Sequence, residues 1–416
     1  MEFSEKIINL AAEAENALKD IFTGIDEISF YNTRKIMDSF AKHRVSEAMF
    51  APSSGYGYDD KGRETLDLIW ADVMGAEAAF VRHSIVNGTQ AITIGLFGLL
   101  RPGDIMFSIA GKPYDTLDEV IGNSGKSGNG SLRDFGVGYM QTDLLEDGNF
   151  DFESIGGILR ANKEKIKVVF IQRSKGYLNR KTLSVDEIGR AIEFVKGIAP
   201  SCYVVVDNCY GEFTEKYEPT AVGADMIIGS LIKNPGGGMA ETGGYIAGSA
   251  KAVELASYRL TSVGVGSEVG ATLGQNKNIF KGLFYAPHTT AQALKTAHLA
   301  AYMFSALGYR VEPEWNETRH DIIQTVITGS ADKLCAFCRG IQAGSPIDAY
   351  VTPEPWDMPG YSDKVIMAAG AFTQGASIEL SADGPLREPF TAFLQGGLTY
   401  ESGKIGIMSA AQAMLG

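Results

Sequence analysis

The chemistry the chain could perform starts with an amine and a carboxylate at the ends of apolar runs. The stretch ADMIIGSLIKNPGGGMAETGGYIAGS, residues 224–249, leaves an apolar run on Lys233 and follows it with Asn-Pro and three glycines. Lysine is almost never fully buried without a partner. A lysine there is either a solvated surface residue or a reactive amine. Upstream, CYVVVDNCYGEF places Asp207 at the end of another apolar run. Earlier still, SIVNGTQAITIGLF sets Gly88 and Thr89, with Gln90 next, at the start of a helical pattern. A helix start offers unpaired N–H groups and the positive end of the helix dipole, and so takes an anion.

Each feature alone has an ordinary explanation: a turn aspartate, a solvated lysine, a helix cap. Ligands of open α/β sheets lie beyond the carboxyl ends of the strands, so all three face one sheet edge. An amine, a carboxylate and an anion cradle meet the needs of pyridoxal 5'-phosphate. The amine condenses with the aldehyde. The aspartate keeps the ring nitrogen protonated, which makes the ring an electron sink. The helix start takes the phosphate. A desolvated lysine near a cation also loses basicity, as an amine nucleophile requires. The glycines after Lys233 are expected to let the backbone pass close beneath a flat ring.

These residues need a scaffold, and the pattern supplies one. AAFVRHSIV, DIMFSIA, VGYMQTDL, IKVVFIQRS, CYVVVDN, DMIIGSL and GGYIAG read as strands, with helical patterns between most of them. Strands alternating with helices predict a mostly parallel sheet covered on both faces. SVDEIGRAIEFVKGI opens on Ser184 and Glu187 at capping-box spacing. Two amphipathic helices are expected at about 1–22 and 32–48. The expected domains are a helical arm (1–50), a large α/β domain (51–290) and a small α+β domain (291–416). The small domain mixes DIIQTVITG, AYVTPEP, KVIMAAGAF and ASIELSA with helices.

The totals exclude several classes. The 416 residues are 45% apolar and 21% charged, ordinary for a globular protein. A net charge of −13 argues against nucleic acid and anionic membranes as partners. The apolar run AITIGLFGLL is far short of a membrane span. The opening residues carry acids early and lack an apolar core, so a signal peptide is not expected and the cytoplasm is. Cys335 and Cys338 have no second ligand pair at metal spacing, so no metal site is expected. GNSGKSGNGS, 122–131, imitates a phosphate loop, but Val120 stands where that motif needs glycine.

The residues resemble fold-type I pyridoxal-phosphate enzymes, the aspartate aminotransferase-like fold: a three-layer α/β/α large domain and a smaller α+β C-terminal domain. Within it, Ser230-Leu-Ile-Lys233 is similar to the Ser-x-Thr-Lys signature of the Cys/Met-metabolism group. APSSGYGYDDKGRETLD, QRSKGY, IKNPGGGMAETGGYIAG and LQGGLTY look like the methionine gamma-lyase family, whose members often carry aluminium-resistance or cystathionine beta-lyase labels. The resemblance covers nearly the whole chain. It implies that Ser230 helps bind phosphate with Gly88, Thr89 and Gln90, and that Tyr114 stacks on the cofactor ring and assists proton transfer. It further implies that Tyr56, Tyr58 and Arg63 reach a neighbouring subunit's phosphate site, in a homodimer at least and a homotetramer by expectation. Where relatives carry a substrate-carboxylate arginine, this chain reads Ile378-Glu379-Leu380-Ser381. Arg387 and Arg173 are the replacement candidates, because guanidinium binds carboxylate in bidentate geometry.

The expected function is a carbon–sulfur lyase acting on a sulfur-containing amino acid. The alternatives are another pyridoxal reaction (aminotransferase, desulfurase or aldolase type) or a non-catalytic pyridoxal-binding regulator. Nothing in the sequence decides between β and γ elimination.

Overall fold

The computed structural model describes residues 2–178, 180–358 and 363–416. The chain forms two compact units, Arg34–Leu231 with Met239–Lys281, and Met1–Thr33 with Ile232–Gly238 and Gly282–Gly416.

The chain opens with α1 (Glu5–Ala17) and α2 (Lys19–Lys42). The second helix begins far earlier than expected and crosses the supposed break at 23–31. Ile21, Ile25 and Ile28 keep helical spacing through it and are buried or half-buried. Its glycine, Gly24, has open space around it, so one mid-helix glycine costs only about 1 kcal/mol.

The first unit continues with α3 (Lys61–Met74), β1 (Ala78–Arg82), α4 (Gly88–Leu99), β2 (Ile105–Ser108), α5 (Asp115–Ile121), β3 (Gly138–Gln141), α6 (Phe152–Asn162), β4 (Ile166–Gln172), α7 (Val185–Ile198), β5 (Tyr203–Asp207), β6 (Met226–Ser230), β7 (Gly244–Gly248) and α8 (Ala250–Leu260). The seven strands form one sheet in the order β1-β7-β6-β5-β4-β2-β3. Strands β3, β2, β4, β5 and β6 pair in parallel; β7 is antiparallel to both neighbours. Val168 and Phe170 of β4 enter one core cluster, while the alternate residues Val169 and Ile171 are buried on the other face. That double burial is why these strands read as continuous apolar runs. Helix α4 lies close on the sheet because of its glycines. A Cβ on Gly95 would come within 2.6 Å of Ile228, and one on Gly98 within 2.7 Å of Ala256 in α8.

The second unit adds α9 (Asn276–Ala306), β8 (Arg310–Glu312), β9 (Ile323–Ile327), α10 (Ala331–Ala343), β10 (Val365–Ala368), β11 (Ser381–Pro385), β12 (Thr391–Gln395) and α11 (Tyr400–Leu415). Its five strands are antiparallel in the order β10-β11-β12-β9-β8. Leu334, Phe337 and Ile341 of α10 share a core with Ile407, Ala411 and Met414 of α11 and with Ile7 and Ala11 of α1. Two strand expectations shift. AYVTPEP forms no strand, and ASIELSA gives one only from Ser381. Residues 376–380 are spent on a turn closed by Glu379 N–H donating to Ala376 C=O at 3.1 Å. Cys335 and Cys338 lie on α10 as buried free thiols.

Candidate active site

The carboxyl edge of the seven-stranded sheet collects the candidate residues of the first unit. Helix α4 starts there, and its cap decides which N–H groups stay open. Asn87 is the N-cap: its Oδ1 accepts from Gln90 N at 2.8 Å. Gln90 returns the bond, its Oε1 accepting from Val86 N at 2.6 Å. Gln90 therefore closes the helix entry with its side chain. The N–H groups of Gly88 and Thr89 have no intrahelical acceptor at these positions. Thr89 Oγ1 pairs with Thr116 Oγ1 of α5 at 2.8 Å.

Ser230, the last residue of β6, faces this helix start. It is 1% exposed, and its Oγ has no hydrogen-bond partner. A Cβ on Gly88 would sit 3.3 Å from Cys209 Sγ and 3.5 Å from Ser230 Cβ. Gly88, Ser230 and Cys209 thus wall a small polar recess lined by open N–H groups and an orphaned hydroxyl. Buried polar groups are nearly always hydrogen-bonded, so this recess is chemically suited to an anionic oxygen. A phosphate group fits that donor set.

Asp207 ends β5, one strand away. It pairs in register with Gln172 of β4 and with Ile228 of β6, two residues before Ser230. Its Oδ1 accepts from Cys209 N at 3.1 Å, which orients the carboxylate. Gln172 in turn accepts from Tyr114 N at 2.5 Å through Oε1. Gly176, at φ +54°, brings the chain back over Tyr114; a Cβ there would lie 3.2 Å from that ring. Tyr114 is half-buried and tilts against Tyr177 with ring centroids 6.1 Å apart. The structure thus groups Gly88, Thr89, Ser230, Asp207 and Tyr114 on one sheet edge. Asn87, Thr116, Gln172 and Cys209 escaped the sequence reading. Asn87 and Gln90 stand at the same spacing as Ser184 and Glu187, so capping rules could have found Asn87.

Lys233 follows Ser230 by three residues and belongs to the second unit with Ile232–Gly238. It is half-buried and caps a short turn, Asn234–Gly236. The glycines behind it serve a purpose other than the one expected. Gly237, at φ +55°, would place a Cβ 2.3 Å from the carbonyl of Gly282 on α9, and Gly238 would meet Leu398. Thr289 Oγ1 of α9 donates to Gly237 C=O at 3.3 Å. The glycines let the lysine segment dock on a helix backbone.

The three arginine candidates, Arg63, Arg173 and Arg387, each have partners within the chain. Arg63 is 2% exposed and donates to the carbonyls of Gly57 (2.6 Å), Gly270 (3.0 Å) and Glu268 (3.0 Å). Arg82 adds a bond to Ser267 C=O at 3.2 Å and a bidentate pair with Asp67, and His83 Nε2 donates to Ala271 C=O at 2.8 Å. Burial raises the Asp67 carboxyl above its ordinary range, against the pull of Arg82. Arg63 thus fastens its own chain, while Tyr56 and Tyr58 stack at 5.5 Å and stay exposed. Arg173 is fully buried, bonded to Asn208 Oδ1 (2.8 Å) and paired with Glu215 (2.6 Å) and Glu218 (3.4 Å). Arg387 is solvent-facing and pairs with Asp363 at 3.3 Å. Neither offers a desolvated guanidinium with open donors to a substrate carboxylate.

Glu379, where relatives carry an arginine by the sequence reading, is a buried acceptor. Its carboxylate takes the N–H groups of Phe372 (2.6 Å) and Thr373 (2.8 Å), and burial raises its pKa. The phosphate-loop imitation at 122–131 turns its backbone onto its own acid: Gly128, Gly130 and Ser131 N–H all donate to Asp134, which holds that carboxyl down at about 2. Among the described residues no group of three or more His, Cys, Asp or Glu could hold a metal ion, and no helix is long and apolar enough to cross a membrane.

A family model described as methionine gamma-lyase matches residues 7–415. The chain belongs to the methionine gamma-lyase family. Its relatives include the uncharacterized protein YnbB of Bacillus subtilis (strain 168), 51% identical over 411 residues, 99% of this chain and 97% of that one. A carbon-sulfur lyase involved in aluminum resistance from Clostridium novyi NT is 48% identical at a TM-score of 0.95, covering 99% of this chain and 96% of that one. A candidate cystathionine beta-lyase involved in aluminum resistance from Listeria monocytogenes str. 4b F2365 is 49% identical at a TM-score of 0.95, covering 98% and 99%. The more distant CalE6, a methionine gamma lyase from Micromonospora echinospora, shares the fold alone, at 18% identity and a TM-score of 0.57. This methionine gamma-lyase family member therefore has the architecture of fold-type I pyridoxal-phosphate enzymes, as its sequence implied.

Proposed function

We propose that the protein eliminates a thiol from the β or γ carbon of a sulfur-containing amino acid, leaving a 2-oxo acid and ammonia. Membership of the methionine gamma-lyase family makes it a pyridoxal-phosphate-dependent carbon–sulfur lyase. The observation that carries the site is the orphaned, buried Ser230 hydroxyl beside the open N–H groups of Gly88 and Thr89. That recess would hold the cofactor's phosphate; Lys233 and Asp207 would hold its aldehyde and ring-nitrogen ends. When bound, the cofactor supplies an electron sink for charge at the substrate's α carbon.

The residues divide the remaining work. Lys233 Nζ takes the α-proton, and its short tether from Ser230 limits where that amine can reach. The Asp207 carboxylate, oriented by Cys209 N–H, holds a proton at the ring nitrogen. Tyr114, fixed through its N–H on Gln172, carries protons to or from the departing sulfur. A γ leaving group needs a second proton shift at the β carbon, for which Lys233 and Tyr114 are the candidates. The stacked, exposed Tyr56 and Tyr58 suit a contact with a second copy of the chain, and a homo-oligomer is part of this reading.

The test is a panel of cystathionine, methionine, cysteine and homocysteine on the purified, cofactor-loaded protein, with thiol, ammonia and 2-oxo acid all measured. Equimolar release of the three supports elimination. Turnover only with an added keto acid, and no thiol, replaces it with transamination.

A further inference from the structure

A guanidinium that faces no substrate stands directly behind Asp207. Arg173 follows the last residue of β4, and its backbone N–H donates to the carbonyl of Asp207 at 3.1 Å. Its side chain is fully buried, and all three guanidinium nitrogens have acceptors. Nε donates to Leu183 C=O at 3.3 Å. Nη1 donates to Asn208 Oδ1 at 2.8 Å and to Glu218 at 3.4 Å. Nη2 donates to Glu215 at 2.6 Å and to Thr214 Oγ1 at 3.4 Å. Asn208, Thr214, Glu215 and Glu218 all belong to the turn that leaves β5 after Asp207.

That turn is strained. Tyr210 and Phe213 take left-handed backbone, at φ +72° and +62°. Such residues keep that conformation only where their surroundings impose it. Here the surroundings are the Arg173 guanidinium: a Cβ on Gly211, between the two, would lie 2.7 Å from its Cζ. Glu218 takes Asn208 Nδ2 at 2.8 Å as well as Arg173, and its other oxygen accepts from Phe213 N at 2.9 Å. Asn208 N–H donates to Ile228 C=O of β6 at 2.9 Å. Asn208 is thus gripped by Arg173 on its side chain and by β6 on its backbone. It is the residue between Asp207 and Cys209, whose N–H orients the Asp207 carboxylate. A buried ion-pair cluster is a poor source of stability, because desolvation offsets most of its attraction. What this one fixes is direction.

We infer that Arg173 is a positioning residue for Asp207: it locks the turn at 208–218 so that the carboxylate keeps its aim at the cofactor's ring nitrogen. The aim rests on the reading of Asp207 given above; the lock on the turn does not. The test compares wild type, R173K, E215Q, D207A and L159A, each loaded with cofactor isotope-labelled at the ring nitrogen, whose magnetic resonance reports protonation there. R173K keeps the charge without the planar fork. Its resonance should move toward the unprotonated position, in the direction D207A moves it. Its kcat per bound cofactor should fall up to about 100-fold, as a misplacement of about 1 Å can cause, with KM little changed. E215Q, which leaves the guanidinium whole, should move both by less, and it carries the test if R173K does not fold. Leu159 is buried on α6, far along the chain from the turn; L159A should lower the melting temperature and move neither readout. An R173K that melts early but keeps the wild-type resonance and kcat makes Arg173 structural only and overturns the inference. Amide exchange across 207–215 should quicken in R173K, and unchanged exchange also overturns it. Quickened exchange with a resonance that D207A leaves unmoved supports the lock and removes the ring-nitrogen reading of Asp207. A moved resonance in R173K with no turnover of any amino acid by the wild type supports the inference and removes the lyase reading.

Discussion

Ser230 and Lys233 carry the sharpest expectations at the scale of single residues. Ser230→Ala removes one hydroxyl donor from a charged acceptor. Such a bond is worth about 1.5–3 kcal/mol, so cofactor affinity should fall about 10- to 100-fold, read by equilibrium dialysis against the visible absorbance. Unchanged affinity would place the phosphate elsewhere. Lys233→Ala should leave no covalent cofactor after borohydride reduction, and a persisting adduct in the mass spectrum would point to another lysine. Lys233 and Asp207 stand out in the sequence because each interrupts an apolar run, Asp207 at the end of β5 and Lys233 just after β6. Arg173 and Arg387 misled because a sequence shows a charge but not its counter-charge; Glu215 and Glu218 saturate the first.

Among the elements, glycines separate into those that pack and those that do not. Gly282→Ala would drive a Cβ to 2.3 Å from the Gly236 carbonyl. Overpacking of this kind costs about 1–3 kcal/mol or more, and it should displace the segment that carries Lys233. Denaturant midpoint and cofactor absorbance should fall together; a loss of stability with full absorbance would uncouple the segment from the site. Gly24→Ala in α2 meets nothing within 4 Å, so it should stabilise by about 0.5–1 kcal/mol. The strands and their mostly parallel pairing followed from apolar runs and their punctuation; their order in the sheet did not. The extent of α2 did not, because a glycine within a helix resembles a break until its surroundings are known. The Asn-Pro-Gly-Gly-Gly run was read as room for a ring, whereas the neighbour that needs the room is α9, distant in sequence.

For the molecule as a whole, the buried His298 sets a slope of stability with pH. Its folded pKa is about 3, against an ordinary 6.5. The unfolded chain therefore binds a proton that the folded chain refuses. The contribution is complete above about pH 6.5 and is lost as pH falls toward 3, at up to about 1.4 kcal/mol per pH unit. Urea midpoints from pH 7 to 4 should fall accordingly, and His298→Asn should flatten that fall; an equal slope in both proteins would exclude the imidazole as its origin. That Ile232–Gly238 joins the C-terminal unit was not legible, since the segment follows β6 in sequence and meets that unit through packing on Gly282. The strip from Ser267 to Ala271 is fastened by Arg63, Arg82 and His83 through its carbonyl oxygens, atoms that every amino acid carries. Such anchoring is blind to side-chain identity. Only Gly270, at φ +128°, is held to its residue type by its own backbone, so a library randomised at 267–269 and 271 should yield mostly folded clones, whereas replacing any one of the three donors Arg63, Arg82 and His83 should not.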